Sequence, residues 1–315
     1  MKIPIIAVVG PTASGKTALA VELAKHFDAE ILSFDSMQLY KGMDIATAKP
    51  TKEEMCGIPH HMIDCVENDE VMSVAKYKDV ATKIIDDIVN RGKRVVMVGG
   101  TGLYLDALLQ NIEFLDDDET EKLKLREELQ EELQEKGPEF MHSKLMEIDP
   151  DYAKTLHQNN TGRVLRALEV YYLTGHTMSF QLENSKRTES RYAPVFIGLD
   201  ARERSYLYDR IEKRVDLMLG AGLLLEVEDF VRNPKGATAK QAIGLKELAP
   251  FVRGDEDLDT CVLRLKQETR HYAKRQLTWF RRNENVHWLY IDELEKEELL
   301  EKAIKIVEEE GVYER

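Results

Sequence analysis

Gly10-Pro11-Thr12-Ala13-Ser14-Gly15-Lys16-Thr17 decides the fold. The octapeptide fits G-x-x-x-x-G-K-[ST]. It lies between the apolar run Ile3–Val9 and residues 17–27, whose apolar side chains recur at helical spacing. Strand, glycine-rich turn and helix together are the context in which this pattern holds phosphate. Glycines let the backbone curl so that successive N–H groups face phosphate oxygens. The helix that follows adds the positive end of its dipole. Lys16 supplies a point charge to the terminal phosphate, and Thr17 a hydroxyl for Mg²⁺. A chance match in a surface loop is the competing reading, and the flanking strand and helix argue against it.

Outward from the loop, strand and helix signals alternate for a hundred residues. Residues 29–34 and Arg94–Val98 read as strands; residues 74–91 and 103–109 read as helices. This alternation predicts an α/β fold, a parallel P-loop sheet covered by helices. From residue 113 to 192 the pattern turns helical, punctuated by Gly137-Pro138, Asp149-Pro150 and Gly175. Residues 194–199 then return as a strand, and 202–219 and 258–282 as long helices. The expected organisation is a discontinuous core, 1–112 and 193–290, with a helical insertion over 113–192. An acidic C-terminal helix, 291–315, ends the chain.

The chain has 315 residues, 43% of them hydrophobic, ample for a sizeable core. No apolar run reaches the roughly 18–20 residues of a membrane helix. The apolar start runs into the phosphate loop rather than a cleavage site, so it reads as a strand, not a signal peptide. Cys56, Cys65 and Cys261 form neither a disulfide framework nor a CxxC pair. A reducing cytoplasm, with no membrane association, is the expected setting.

A formal charge of −14 excludes an all-over basic coat. Its distribution matters more than its sum. Residues 116–136 and 288–315 each hold ten acidic and four basic side chains, which accounts for −12 of the total. Residues 263–282 run the other way, with seven Lys/Arg against one Glu. The acidic stretches read as solvated faces of ordinary helices. The basic one is either another solvated face or a surface for a polyanion. On a helix, Lys266, Arg270, Lys274 and Arg281 fall near one side. Leu265, Tyr272, Leu277 and Phe280 have the spacing of packing residues.

The phosphate loop does not say which polyphosphate it holds. An ordinary NTPase ends a hydrophobic strand in an acid that holds Mg²⁺ through water. Here Arg94–Val98 ends in Gly99-Gly100-Thr101-Gly102. Those glycines allow either close approach to a ligand or a plain structural turn. The acid stands instead after the second strand, at Asp35, on the carboxyl edge of the sheet where ligands bind. It suits a general base acting on a nucleophile beside the phosphates. A turn or cap role is the alternative.

Six stretches together carry a family resemblance: GPTASGKT (10–17), DSMQLYKGMDIATAKP (35–50), GGTGLY (99–104), NNTGRVLRALEV (159–170), KQAIGLKEL (240–248) and TRHYAKRQLTWFRR (269–282). The chain resembles the tRNA dimethylallyltransferases, the bacterial isopentenyl-diphosphate:tRNA transferases. The match runs from residue 10 to 282 in the family's order. Ala46 departs from it, standing where the family usually has glycine.

The resemblance implies transfer of a dimethylallyl group from dimethylallyl diphosphate to N6 of an adenosine beside the tRNA anticodon. Gly10, Pro11, Thr12, Ala13, Ser14, Gly15, Lys16 and Thr17 would then hold diphosphate, with Mg²⁺ on Thr17. Asp35 would be the base, and Thr101 would contact both the diphosphate region and the incoming nucleotide. Ser36, Met37 and Gln38 would line the pocket of a flipped adenine, Gln38 offering it a donor and an acceptor. Asn159, Asn160, Thr161, Gly162, Arg163 and Arg166, with Arg126, would lie near the anticodon loop. N-capping and exposed arginines are the bland account of that cluster. Lys240, Gln241, Arg270, Lys274, Arg275 and Arg281 complete the implied tRNA contacts, on a protein expected to be monomeric. An ATP-dependent small-molecule kinase would use the same loop and acid but leaves the basic helix and KQAIG unexplained. A non-catalytic, nucleotide-regulated RNA binder is the third reading.

Overall fold

A computed structural model describes residues 2–110, 119–187, 189–233, 236 and 239–311. Its strands are β1 (Ile3–Val9), β2 (Ala29–Ser33), β3 (His60–His61), β4 (Arg94–Val98), β5 (Tyr192–Asp200) and β6 (Val286–Tyr290). They form one sheet in the order β3-β2-β4-β1-β5-β6, every pairing parallel. The fold is therefore the α/β sheet covered by helices that the alternation predicts.

β1 shows why. In IPIIAVV the last five residues are buried, as a parallel strand covered on both faces requires. Alternate side chains feed two cores. Ile5, Ala7 and Val9 join Tyr77, Ile85, Tyr104 and Leu248 on one face. Ile6 and Val8 join Leu19, Leu23 and Phe27 on the other, with Leu299, Ala303 and Val307. Those last three belong to the helix Lys296–Glu309, which turns most of its acids to solvent. Each large aliphatic buried this way contributes about 1.5–3 kcal/mol.

Two strands have no signal in the sequence. β3 is two residues long, too short for any period. β6 overlaps the start of the acidic segment 288–315, where His287, Trp288 and Tyr290 do not alternate cleanly. Elsewhere the differences are boundary shifts. The helix expected at 17–27 spans Lys16–Phe27, because Gly15 takes φ 92 and starts it one residue earlier.

Contacts divide the chain into two compact units, 1–109 with 191–315, and 110–190. The expected 112/113 boundary falls outside the described residues. The second unit has its own core of Leu129, Met141, Leu145, Val164 and Leu168. Its first helix, Glu119–Ile148, breaks at Gly137 (φ 82), just before Pro138. Glu169 is fully buried there, and Arg126 (3.1 Å) and Arg166 (3.3 Å) neutralise it. Among the described residues no helix is long and apolar enough to cross a membrane.

Candidate active site

The phosphate loop is shaped by β5. Gly10 follows β1 at φ 142, and a Cβ on it would stand 2.5 Å from the Leu199 carbonyl oxygen. Only glycine meets both demands. Ala13 follows at φ 63, costing about 1–2 kcal/mol for an L-residue. Arg210 braces that bend, its Nε donating to the Ala13 carbonyl at 2.8 Å. Ser14 Oγ is buried without a hydrogen-bond partner, as a group reserved for a phosphate oxygen would be. Lys16 Nζ rests on the Pro11 carbonyl at 2.6 Å. Burial holds the Lys16 amine down at about 7; nearby Arg214 adds to this and Asp35 opposes it.

Asp35 leaves the end of β2. Its Oδ1 accepts the Met37 amide at 3.0 Å, closing a turn. Burial pushes its carboxyl pKa up, against the pull of the Met37 amide and of Lys16. Asp35 thus makes a turn and also faces the cavity. Thr101 stands behind it, donating to Ser36 Oγ (3.1 Å) and accepting the Ser36 amide (3.0 Å).

A cavity of about 370 Å³ opens between these parts, within the first unit. Thr12, Lys16 and Thr17 form one wall; Asp35, Ser36, Met37 and Gln38 form the next, continued by Ala46, Thr47 and Ala48. The helix Arg204–Gly220 brings Ile211, Arg214, Val215 and Met218, and the helix Leu258–Phe280 brings Leu265, Thr269, Tyr272, Arg275 and Gln276. Gln241 lines it as well, while Lys240 is exposed beside it.

Gln38 is engaged differently from the sequence expectation. Its Nε2 donates to the Thr47 and Ala48 carbonyls, both at 3.2 Å, and its Oε1 accepts from Ser33 Oγ at 3.2 Å. The amide is spent on the protein rather than left open to an adenine edge. Glu226 holds the same loop from the other side, its two oxygens accepting the Ile45 and Ala46 amides at 2.9 Å each.

The basic helix divides its cations. Lys266 pairs with Asp216 at 2.7 Å, Arg270 with Glu212, and Arg281 with the buried Asp200. Lys274 and Arg275 are exposed, and Arg275 also reaches the cavity. In the second unit, Asn159, Asn160, Gly162 and Arg163 are exposed and Thr161 half-buried at the start of the helix Thr161–Thr174. Asn160 occupies the N-cap position without making a capping bond through its side chain.

Arg214, Tyr272 and Gln276 are among the site residues that sequence reasoning missed. Arg214 had a legible signal, an arginine among Leu207, Ile211 and Met218 on the apolar stripe of its helix. Leu265, Leu277 and Phe280, which read as packing residues, are core, Leu265 also reaching the cavity, whereas Tyr272 is half-buried and lines it.

Residues 38–283 match the family model "IPP transferase". The chain belongs to the IPP transferase family. Similar proteins match beyond that span on both sides. A "tRNA dimethylallyltransferase" of Acetivibrio thermocellus is 48% identical over 303 residues, 96% of each chain. A solved tRNA delta(2)-isopentenylpyrophosphate transferase from Staphylococcus epidermidis is 43% identical with a TM-score of 0.71, covering 98% of this chain and 99% of that one. A eukaryotic dimethylallyltransferase described as acting on tRNA superposes with a TM-score of 0.77 at 31% identity, over 92% of this chain and 74% of that one. The phosphate loop and Asp35 precede the span of the IPP transferase model.

Proposed function

We propose that this protein transfers a dimethylallyl group from dimethylallyl diphosphate to N6 of an adenosine next to the tRNA anticodon, in the cytoplasm. One observation carries the reading: a half-buried carboxylate, Asp35, and a phosphate loop share one cavity, while β4 ends in glycines rather than an acid. The N6 lone pair forms the new bond to the allylic carbon as its bond to the diphosphate oxygen breaks. The N6 proton passes to Asp35, and the electron pair leaves with diphosphate. Lys16, Arg214 and the loop amides meet the charge that grows on the leaving group. The adenine must leave its stack to reach the cavity.

The donor set fits Mg²⁺. The Thr17 hydroxyl lines the cavity at the start of the helix after the loop, where this ion is typically held by a Ser/Thr hydroxyl together with phosphate oxygens and water. No group of three His, Cys, Asp or Glu among the described residues forms an all-protein metal cage. When bound, the ion would neutralise developing charge on the diphosphate. Lys274 and Arg275 from the first unit, and Asn159, Asn160 and Arg163 from the helical unit, supply the exposed polar groups for the anticodon stem-loop. Purified protein with unmodified tRNA and dimethylallyl diphosphate, without ATP, should yield tRNA whose digested adenosine carries one added dimethylallyl mass. Bound tRNA with no such adduct would sink the reading.

A further inference from the structure

Gln276 projects from the inner face of the helix Leu258–Phe280 and is 4% exposed. Its Oε1 accepts the Thr12 amide at 2.8 Å, and its Nε2 donates to the Gly100 carbonyl at 3.1 Å. The partners fix the amide's orientation, because one is a pure donor and the other a pure acceptor. A single side chain therefore joins the phosphate loop to the turn after β4. That turn is itself stitched to the segment carrying Asp35. The Thr101 amide donates to the Phe34 carbonyl at 3.3 Å, and Thr101 Oγ1 accepts the Ser36 amide at 3.0 Å. A Cβ on Gly99 would stand 2.7 Å from the Phe34 backbone, so the two strand ends are in close contact.

We propose that Gln276 is a positioning residue that fixes the spacing between the diphosphate cradle and the turn supporting Asp35. It acts through Thr12 and Gly100. The proposal rests on the transferase reading above for its kinetic readout. Positions of reacting groups matter steeply, so a loosened bridge lowers turnover more than it lowers tRNA affinity. Its residue type does not mark this role, since a glutamine in a basic helix looks like one more polar contact.

Gln276→Leu removes both bonds. It should lower kcat roughly tenfold or more while tRNA Kd stays within about twofold. Gln276→Glu supplies a sharper test. As a carboxylate it still accepts from Thr12 but presents a lone pair to the Gly100 carbonyl. As a carboxylic acid it donates there and restores the bridge. Its kcat relative to the parent should therefore rise as pH falls from about 8 to about 6, with no such recovery in the leucine variant. Gly100→Ala gives an independent perturbation, because its methyl would stand 2.0 Å from Gln276 Nε2. It should lower kcat with the glutamine in place. Parent-like turnover in Gln276→Leu, or a Gln276→Glu to parent ratio flat with pH, overturns the assignment. An inactive parent overturns the transferase reading instead.

Discussion

Asp35 and Lys16 share one cavity, and burial moves their pKa values toward each other. Asp35 must be ionised to take a proton, so activity should fall as pH drops through its raised pKa. Lys16 must be charged to hold diphosphate, so donor binding should weaken as pH rises past about 7. The pH profile of kcat/KM for the donor is expected to be bell-shaped, and Lys16→Met should remove its alkaline limb. The stability sign follows from the same shift. Between about 7 and the ordinary 10.5, the unfolded chain binds a proton that the folded chain lacks. The lysine thus destabilises the fold most below about 7, and Lys16→Met should melt higher at acid pH while losing its thermal shift with pyrophosphate. Asp35→Asn should cut turnover by about 10²-fold or more with tRNA affinity retained; an active asparagine variant would remove the base. Lys16, Thr17 and Asp35 are legible in sequence because their chemistry lies in contiguous motifs. Arg214, Tyr272 and Gln276 arrive on helices far along the chain, and only the sheet brings them to the loop. Gln38 is legible as a cavity residue but not as a strut, since its carbonyl partners depend on how residues 43–48 fold back.

The helix Leu258–Phe280 has two faces with separate work. Inward, Tyr272 and Gln276 line the cavity, and Trp279 Nε1 donates to Asp106 at 2.9 Å. Outward, Lys274 and Arg275 meet solvent. Reversing both charges should weaken tRNA binding and reduce the slope of log K against log salt, by roughly 1.4–1.8 for two lost contacts. Arg281→Gln should behave otherwise, lowering stability more than affinity, because Asp200 is buried against it. Comparison of salt titrations and melting curves separates the two effects. The loop 45–48 depends on a different helix, Leu223–Arg232, through Glu226. Glu226→Ala strips two charge-assisted bonds and should cost about 2–4 kcal/mol in urea unfolding, with lower kcat. The basic helix is visible in the charge count, but the count cannot tell paired cations from free ones. Lys266, Arg270 and Arg281 look equivalent to Lys274 until their acidic partners on other elements are placed. Likewise β1 and β4 announce themselves by apolar runs, whereas β3 and β6 are too short or too mixed to do so.

At the scale of the molecule, the −14 charge is unevenly held. The C-terminal helix turns Leu299, Ala303 and Val307 to the core and leaves Glu297 and Glu301 exposed. Such a face repels a polyanion, which favours approach from other directions. Glu297→Gln with Glu301→Gln should raise affinity for non-cognate RNA at low salt and leave turnover on tRNA unchanged. The order of the sheet has a further consequence, for synthesis. β1 lies between β4 and β5, yet β5 is translated only after the whole helical unit. A nascent chain therefore carries the first phosphate-loop residues out of the ribosome with one edge of its central strand unpaired. Gly10 cannot settle against Leu199 until that later strand has been made. The binding loop that appears earliest in translation is completed late, and until β5 arrives the open edge of β1 is available for pairing elsewhere.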